Sequence, residues 1–544
     1  MPTLPHIPFR VRIGVTGHRS LPQDPVFRQR IVEVVDRIKA DYSKVVTVPL
    51  AFTVVTPLAE GADQVVASAV MKVLGSRLRA VIPLALPDYM ADFTSEETKR
   101  TFSELLAQDP NPVYLRTVLL DGDRTQENVR KARNSAYREA GEYVVRNCDV
   151  LIAIWDREPA KGEGGTAEII RFAEVRKIPV YIITVGPPYS VEVRPGAGVT
   201  YEGLDALSMF NRTPVNMSRA AAHDPTVDSV IEAAKHFDFP TENVTAVEKH
   251  LRPSYLRASY LAGRYQRRHY QMGGRVYTLA ALVIVASTVS MLLGKHDWLF
   301  AVGELLGMIL IVFIVHRARK NHYQRMWVDL RLLAERLRIA TVLLSCGQGK
   351  WLVANIHSPN WWQARGDWTS RVVSEILFPW SNVQLPQPPL DAQREFLRRH
   401  WIQHQLAYHQ HKAADLERRN RRLDYLGTGT FYLGLVAVAV NLMIIIFRWD
   451  HSAASFFHWL VLSSFALPAF GAAFSGIRKH REYDRLSAKS FAMTAMLSEL
   501  DVRAANADTE EHLGEVMSET YQLVISEAED WHLLVRALVV DRPA

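Results

Sequence analysis

Three short loops in the first third of the chain combine glycines with charged side chains. Glycine allows the backbone to approach a ligand closely, and free N–H groups at a helix start favour a phosphate. Arg19 would add charge-assisted hydrogen bonds to that phosphate, while Glu60 and Asp63 are suited to ribose hydroxyls or an amine. We therefore predict a nucleotide site. Its predicted binding residues are Gly17, His18, Arg19, Glu60, Gly61, Asp63, Asp156, Gly164, Gly165, Thr166 and Glu168.

Each loop also has a simpler interpretation. A glycine turn after a strand is common, and Asp63 or Thr166 could cap a helix without binding anything. The joint occurrence of three such loops favours the ligand site. The sequence contains neither GxxxxGK[ST] nor GxGxxG, which disfavours P-loop hydrolysis and ordinary hydride transfer.

The elements that must position these loops alternate between apolar strands and helices. Continuous apolar strands joined by helices predict a doubly wound, Rossmann-like parallel sheet covered on both faces. In such sheets, ligands bind beyond the carboxyl ends of the strands, which is where the three loops fall. The predicted strands are Val11–Thr16, Ala51–Thr56, Leu78–Leu84, Val113–Leu119, Val150–Trp155 and Val180–Val185. The predicted helices include Phe27–Lys39, Ala62–Leu74, Asn128–Asn147 and Thr166–Lys177.

Composition excludes a purely soluble enzyme. The chain has 544 residues, with 64 Lys and Arg against 57 Asp and Glu, a net charge of +7. Two cysteines cannot build a disulfide framework, which fits a reducing compartment. The second half contains four apolar segments of about 20 residues, the length that spans a bilayer. They are Val276–Leu293, Trp298–Val315, Leu426–Phe447 and Phe456–Ile477.

Basic residues near the ends of these spans predict their orientation. Fourteen Lys and Arg flank the outer ends of the two hairpins, whereas the tips hold only Lys295 and Arg448. The positive-inside rule then places both termini in the cytoplasm, and we expect a multi-pass membrane protein. The basic excess is explained by the bilayer partner, including anionic lipid, so no nucleic-acid partner is expected.

The two hairpins resemble copies of one unit. Each has a basic helix that enters, two spans, and an exit marked by Arg319-Lys320 or Arg478-Lys479. Amphipathic patterns follow, and residues 391–425 predict a long polar helix. The expected organisation has five parts: a nucleotide-binding domain (1–186), a connector (187–250), a first two-span unit (251–346), an inter-repeat connection (347–390) and a second two-span unit (391–544). In the connector we expect one helix near Thr226–His236. The membrane part is expected to be all α-helical, with long cytoplasmic helices.

Several polar residues in the second half need separate interpretation. Glu304 and Asn441 interrupt apolar spans. An intramembrane carboxylate is a functional candidate, so both are pore candidates, although Glu304 could be solvated near the interface and Asn441 could bond between helices.

The histidines and tryptophans of the second half have simpler explanations. His400 and His404 have metal-ligand spacing, but we expect them, with His409 and His411, on a solvated face, and we predict no metal site. Trp361, Trp362 and Trp368 are expected at the interface or in packing.

Two sets of motifs carry a resemblance to known families. Val15-Thr16-Gly17-His18-Arg19, Leu58-Ala59-Glu60-Gly61-Ala62-Asp63 and Gly164-Gly165-Thr166-Ala167-Glu168 resemble the SLOG superfamily of nucleotide-sensing and nucleotide-processing domains. The hairpins with their emerging helices are similar to the SLATT two-span effector domain, present here twice. The resemblance implies a bacterial antiviral conflict system, in which a nucleotide or NAD-derived ligand activates perforation of the bacterial inner membrane with no required cofactor.

Two alternatives to a sensor remain open. SLOG relatives include phosphoribohydrolases, which implies N-glycoside hydrolysis with Glu168 as the catalytic carboxylate and Arg133 or Arg138 as the phosphate-binding cation. Here the Gly-Gly-Thr run is shortened, and a carboxylate in a first helical turn also complements the helix dipole. A transporter is the other alternative, because paired hairpins and Glu304 could serve substrate passage. Four spans enclose no wide pore, so a homo-oligomer is expected.

Overall fold

Apolar β-rich runs of the first part of the chain form one sheet of seven strands in the computed structural model. The order is β4-β3-β2-β1-β5-β6-β7, with β1 to β6 parallel and β7 antiparallel to β6. The strands are β1 Phe9–Gly17, β2 Leu50–Thr56, β3 Arg77–Ile82, β4 Val113–Tyr114, β5 Val150–Trp155, β6 Val180–Thr184 and β7 Val191–Arg194. The structure describes residues 6–115, 126–159, 164–196, 201–293, 297–355, 368–381, 383–447 and 454–537.

The helices follow in chain order. Those before residue 215 are α1 Pro25–Val45, α2 Ala62–Leu74, α3 Leu86–Met90, α4 Glu96–Leu106, α5 Gln126–Arg146, α6 Thr166–Val175 and α7 Tyr201–Arg212. Next come α8 Met217–His223, α9 Thr226–His236, α10 Thr241–Ala246, α11 Arg252–Leu293, α12 Asp297–Lys320 and α13 Tyr323–Ser345. The last are α14 Gly349–Asn355, α15 Trp368–Leu377, α16 Leu390–Leu397, α17 Gln403–Ile446, α18 Ala454–Arg481, α19 Tyr483–Ala505 and α20 Glu510–Ala537.

The chain divides into two units. The sheet unit comprises Met1–Pro214 and Gly347–Leu385, and the helical unit comprises Val215–Cys346 and Pro386–Ala544. The fold prediction is confirmed, since a mostly parallel sheet is followed by an all-helical region with four long apolar helices.

Central strands of the sheet are buried on both faces, which explains their continuous apolar sequence. The four successive residues of β5 from Val150 to Ala153 point to alternate faces, and none of them has exposed surface. The expected strand boundaries at Val150–Trp155 and the helix at Ala62–Leu74 match the structure. Of the strand expected at Val113–Leu119, Val113 and Tyr114 form β4, Leu115 lies beyond the end of the strand, and residues 116–119 lie outside the described residues.

The region expected to be a connector is more structured than predicted. Only a helix near Thr226–His236 was expected there, and α9 has those bounds. The structure adds β7, which extends the sheet, and α7, α8 and α10. Prolines, glycines and polar residues obscured these short elements because each is held by packing rather than by a long periodic pattern.

A helix from between the two hairpins belongs to the sheet unit. Glu375 of α15 pairs with Arg10 of β1 and lies 3.3 Å from Arg77 of β3. Arg371 of the same helix pairs with Asp149, directly before β5, at 2.6 Å. Helix α15 is therefore tied by ion pairs to the amino ends of three strands. Trp368 is buried beside Phe210, which makes it a packing residue, whereas Trp361 and Trp362 lie outside the described residues.

The four long apolar helices make this a multi-pass membrane protein. The spans lie within α11, α12, α17 and α18, and each contains an apolar window of at least 18 residues. Small residues allow close packing between them. Ala281 of α11 packs with Ala469 and Ala473 of α18, and a side chain at Gly434 of α17 would collide with Pro468 of α18.

The two hairpins share an order of local elements. A five-residue π-helical segment, Val247–Leu251 or Arg398–Ile402, precedes each entering helix. After each hairpin one residue has a left-handed backbone, His322 (φ 47°) or Glu482 (φ 51°), before a 23-residue helix begins. In the first of these helices, α13, Leu330 and Leu337 are buried. The two hairpins therefore share these local elements, while their duplication stays a prediction.

Candidate functional site

A cleft of about 390 Å³ lies at the carboxyl ends of β1 and β5. Chain order runs outward from β1 through β2 and β3 in one direction and through β5 and β6 in the other, so the cleft lies at the topological switch point. It is lined by eight of the predicted residues, Gly17, His18, Arg19, Asp63, Asp156, Gly164, Gly165 and Thr166. Glu60, Gly61 and Glu168 are not among its lining residues.

The loop after β1 brings backbone and charge to the cleft. A Cβ atom on Gly17 would lie 2.5 Å from the Ala62 Cβ atom, so only glycine permits this approach of β1 to α2. His18 Nε2 lies 3.1 Å from the Asp156 N–H nitrogen and 3.0 Å from Asp156 Oδ1. An unprotonated Nε2 accepts from the N–H, whereas a protonated one donates to the carboxylate. Either state ties the loop after β1 to the loop after β5.

Asp156 is held as a carboxylate. Partial desolvation opposes ionisation, but a hydrogen bond from the Glu158 N–H (2.9 Å) and the neighbouring His18 outweigh it and lower the pKa of Asp156. Arg19 is exposed at the cleft, with its guanidinium 5.5 Å from the centre of the Tyr137 ring. The cleft therefore offers a cation and an acceptor on opposite sides of the switch point.

The loop after β2 contributes a buried carboxyl group. Asp63 is 5% exposed, and its Oδ2 accepts a hydrogen bond from the Ala59 N–H at 3.2 Å. Burial raises the pKa of Asp63 to about 7 despite that hydrogen bond. A carboxyl group that titrates near neutrality in a cleft is a candidate for proton transfer.

Two neighbours of Asp63 shape the loop rather than the cleft. Glu60 accepts hydrogen bonds from the N–H (3.0 Å) and hydroxyl (2.6 Å) of Thr94. Burial opposes ionisation of Glu60, but these bonds prevail and its pKa is lowered. Gly61 has φ +91°, and a Cβ there would lie 2.1 Å from the Arg19 carbonyl oxygen. Glycine at this position therefore allows the backbone of Arg19 to pack against the loop after β2.

The loop before α6 presents the start of a helix. Gly165 is the residue before the helix, and the first-turn N–H groups of Thr166 and Ala167 have no partner within the helix itself. Thr166 is therefore not a cap. Glu168 Oε2 accepts from the Gly164 N–H at 2.7 Å, which closes the loop. This carboxylate holds the loop in place and complements the helix dipole.

Helix α5 contributes residues to the cleft that were not predicted. Asn134, Tyr137 and Gly141 line the cleft, and their spacing at i, i+3 and i+7 puts them on one face of the helix. The Tyr137 hydroxyl donates to Asp92, and burial with this bond raises the pKa of Tyr137 to about 12. The cations expected from α5 lie elsewhere, since Arg133 pairs with Asp92 at 2.5 Å and neither it nor Arg138 lines the cleft.

Glu304 and Asn441 both lie in the helical unit. Glu304 is half-buried on α12, where neighbouring Leu305 and Leu306 are more than half exposed. Asn441 Oδ1 of α17 is buried with no hydrogen-bond partner among the described residues. The expected interhelical hydrogen bond to this oxygen is therefore not made by the residues that the structure describes.

Fold and site together define an α/β domain with a Rossmann-like sheet and a candidate ligand cleft, in one chain with a four-span membrane unit. No protein-family model matches the chain, and no curated protein is significantly similar to it. Among the described residues no group of three or more His, Cys, Asp or Glu side chains is placed to hold a metal ion.

Proposed function

We propose that the sheet unit binds a nucleotide-type ligand, such as an NAD-derived one, and thereby gates a pore-forming membrane effector formed by the helical unit. The cleft at the switch point is the observation that supports the ligand-binding part of this proposal. Its volume of about 390 Å³ falls within the range of small-molecule sites.

The polar groups of the cleft suit the parts of a nucleotide. A phosphate would accept from the N–H groups at the start of α6 and from the Arg19 guanidinium. Asp156, on the far side of Gly17, would accept from a ribose hydroxyl or a base amine. Tyr137 offers a ring against which a base can stack.

Helix α15 supports coupling between the two units. The ligand would bind at the carboxyl ends of β1 and β5, while Arg371 and Glu375 hold the amino ends of the same strands. The chain enters α15 from the helical unit and returns to it, at Cys346–Gly347 and Leu385–Pro386. A ligand that favours one position of these strands would thus bias the segment that joins the two hairpins.

The membrane half of the proposal extends the four-span finding. Leu306, Val312 and Phe313 of α12 are each more than half exposed in the single chain, as is expected of a surface that faces lipid or other copies. Since four spans enclose no wide pore, we place a homo-oligomer in the bacterial inner membrane with both termini cytoplasmic, and Glu304 beside the pore. The resemblance to SLOG and SLATT domains supports a role in antiviral defence.

The test is leakage of dye and ions from liposomes that contain the full-length chain, screened against ADP-ribose derivatives and cyclic dinucleotides. We expect one ligand class to trigger leakage, and Arg19→Gln to abolish it at the same ligand concentration. Arg28→Gln, at an exposed position of α1 outside the cleft, is the matched control and should behave as the unaltered chain. Ligand binding without leakage at any concentration would refute the gating half.

A membrane-tethered N-glycoside hydrolase is the second candidate, and Asp63 favours it. Its carboxyl group lines the cleft with a pKa of about 7, as general acid–base catalysis requires. Glu168, the carboxylate implied by the family resemblance, is instead bound to the Gly164 N–H. Release of free base from the nucleotides, lost in Asp63→Asn, would support the hydrolase, and quantitative recovery of intact nucleotide would exclude it for the panel tested.

A further inference from the structure

The helical unit contains a cavity of its own, of about 420 Å³, between α11, α13, α17, α19 and α20. Its lining residues lie outside the four predicted spans. Helix α17 is continuous from Gln403, so Gln405 at the cavity wall lies about 30 Å along the helix axis from the start of the third span at Leu426. Arg481, which also lines the cavity, lies four residues after the fourth span ends at Ile477.

Positive charge predominates around this cavity. Six cations line it against two carboxylates, Glu335 and Glu527, and the cations are Arg267, Arg331, Arg338, Lys412, Arg419 and Arg481. Both carboxylates are already engaged. Glu335 lies 3.3 Å from Arg331 and 2.5 Å from Arg338, and Glu527 lies 3.6 Å from Lys489.

Three of the cations have no carboxylate within ion-pair distance in the part of the chain that the structure describes. Lys412 lies 5.0 Å from the centre of the Tyr408 ring, and Arg481 donates to the Tyr483 hydroxyl at 2.8 Å. Arg267 is exposed at the cavity wall. Since like charges repel, a bound anion would stabilise such an uncompensated cluster.

Two further side chains of the cavity, Tyr408 and His409, lie close to these positive charges. The Tyr408 hydroxyl accepts from Arg331 Nη2 at 3.0 Å. Burial opposes ionisation of Tyr408, but Arg331 and Lys412 prevail and lower its pKa to about 8. His409 is 4% exposed, and its Nδ1 has no hydrogen-bond partner among the described residues. The expectation of a solvated His409 is therefore wrong.

His409 adds no charge of its own to the cluster. Burial, with Lys412 and Arg338 nearby, lowers the pKa of His409 to about 4, so the ring is neutral at physiological pH. Its unpartnered Nδ1 belongs to a side chain that lines the cavity. A neutral imidazole can donate one hydrogen bond to a ligand oxygen.

We infer that this cavity is a second binding site, for a phosphorylated anion held by Lys412, Arg481 and Arg267. The ligand chemistry is shared by a soluble polyphosphate and by the headgroup of an anionic phospholipid. The site lies entirely in the helical unit, and its existence does not depend on the ligand proposed for the sheet unit.

The test uses Tyr408 as a reporter in the full-length chain. The absorbance of tyrosinate is measured about one pH unit above the Tyr408 midpoint, where Tyr408 is mostly ionised and ordinary tyrosines are mostly neutral. A nearby anion disfavours tyrosinate, so the signal should fall when pyrophosphate is added in detergent, or when the protein is moved into nanodiscs that contain phosphatidylglycerol. Nanodiscs of phosphatidylcholine alone provide the lipid reference, and Tyr408→Phe identifies the signal.

Variants assign the response to the cavity. Lys412→Gln should weaken binding of the effective anion about tenfold, as expected for loss of one charge-assisted contact of about 1.4 kcal/mol, and Lys412→Arg should restore it. Arg418→Gln removes a mostly exposed charge from the same helix outside the cavity and should have no effect. Arg19→Gln should also leave the response intact, because Arg19 belongs to the other cleft.

The outcomes separate the two ligand sources. A response to pyrophosphate identifies a soluble anion, and a response only to phosphatidylglycerol identifies a lipid headgroup. An unchanged tyrosinate signal with both probes would overturn the inference. So would a response that persists unaltered in Lys412→Gln, or one that disappears in Arg19→Gln.

Discussion

Arg371 of α15 makes an ion pair with Asp149, and the effect of its loss on the sheet can be calculated. Asp149 accepts hydrogen bonds from Arg371 at 2.9 and 2.6 Å, and from the Arg12 N–H at 2.9 Å and its guanidinium at 3.3 and 3.2 Å. Only 8% of the Asp149 side chain is exposed. Arg371→Gln would leave this buried carboxylate with one cation instead of two.

The expected loss is about 3 kcal/mol, the lower end of the range for breaking a buried ion pair by removing one partner. At about 1.4 kcal/mol per factor of ten, this corresponds to roughly a hundredfold increase in local opening. The assay is hydrogen exchange of the full-length chain, which reports local opening free energies. Peptides that cover β1 and β5 should exchange about a hundredfold faster, whereas α18 should be unchanged.

A double-mutant cycle isolates the pair from other effects of the substitution. Asp149→Asn with Arg371→Gln should cost less than the sum of the single changes, and Arg371→Lys should fall between Arg371 and Gln because it keeps the charge without the paired geometry. A coupling below about 0.5 kcal/mol would refute the reasoning, since the geometry would then contribute nothing beyond each side chain alone.

The pH dependence of this contact has a defined sign. Burial opposes ionisation of Asp149, but Arg12 and Arg371 prevail and hold its pKa far below the usual value. A lowered folded pKa gives stability that is fully present above the unfolded pKa and is lost as pH falls through the folded one. Protection of β1 and β5 by this pair should therefore persist from neutral pH down to about pH 4 and decline only below it.

Three further outcomes follow from the structure. Gly61→Ala should lower the free energy of unfolding by at least about 1–3 kcal/mol because of the positive φ, and it should abolish ligand binding by displacing Arg19. Gly75→Ala, at φ +58° with open space around it, should leave binding intact. Calorimetry on the full chain checks both variants. Burial raises the pKa of Asp63 to about 7, so the free energy of unfolding should fall as pH rises from about 4 to 7 and should not recover above it. In Asp63→Asn, this pH dependence should disappear from the hydrogen exchange of α2. An identical pH dependence in the variant would contradict the assignment. His322→Gly should raise the melting temperature in detergent, because a left-handed backbone costs a non-glycine residue about 1–2 kcal/mol, while Asn321→Gly at the preceding position should not.

The sheet and its loops could be predicted because their determinants are local. Continuous apolar runs specified the buried strands, and glycines with charges marked the strand ends that form the cleft. The signal for Tyr137 in the sequence was Gly141, a small residue four positions later on the same face of α5. Its importance was hidden because the residues it meets, Asp92 and Arg19, are distant in sequence.

Other features depend on pairs that no local pattern reveals. Arg10 and Glu375 are 365 residues apart, and Arg371 and Asp149 are 222 apart, so residues 347–390 could be described only as a connection. His409 was expected in solvent because its neighbours are polar, yet it is buried in the helical unit, where α17 packs against α18 and α19. Burial of a polar side chain in a helical assembly is decided by the partner helix and cannot be read from the helix alone.

The return of the chain to the sheet unit has a consequence for biosynthesis. Translation delivers Asp149 about two hundred residues before Arg371, and the segment between them includes the whole first hairpin. Until that hairpin has entered the bilayer and α15 has emerged from the ribosome, the buried carboxylate at the foot of β5 lacks one of its two cations. The sheet therefore acquires the second cation of Asp149 only after the first hairpin has been synthesised.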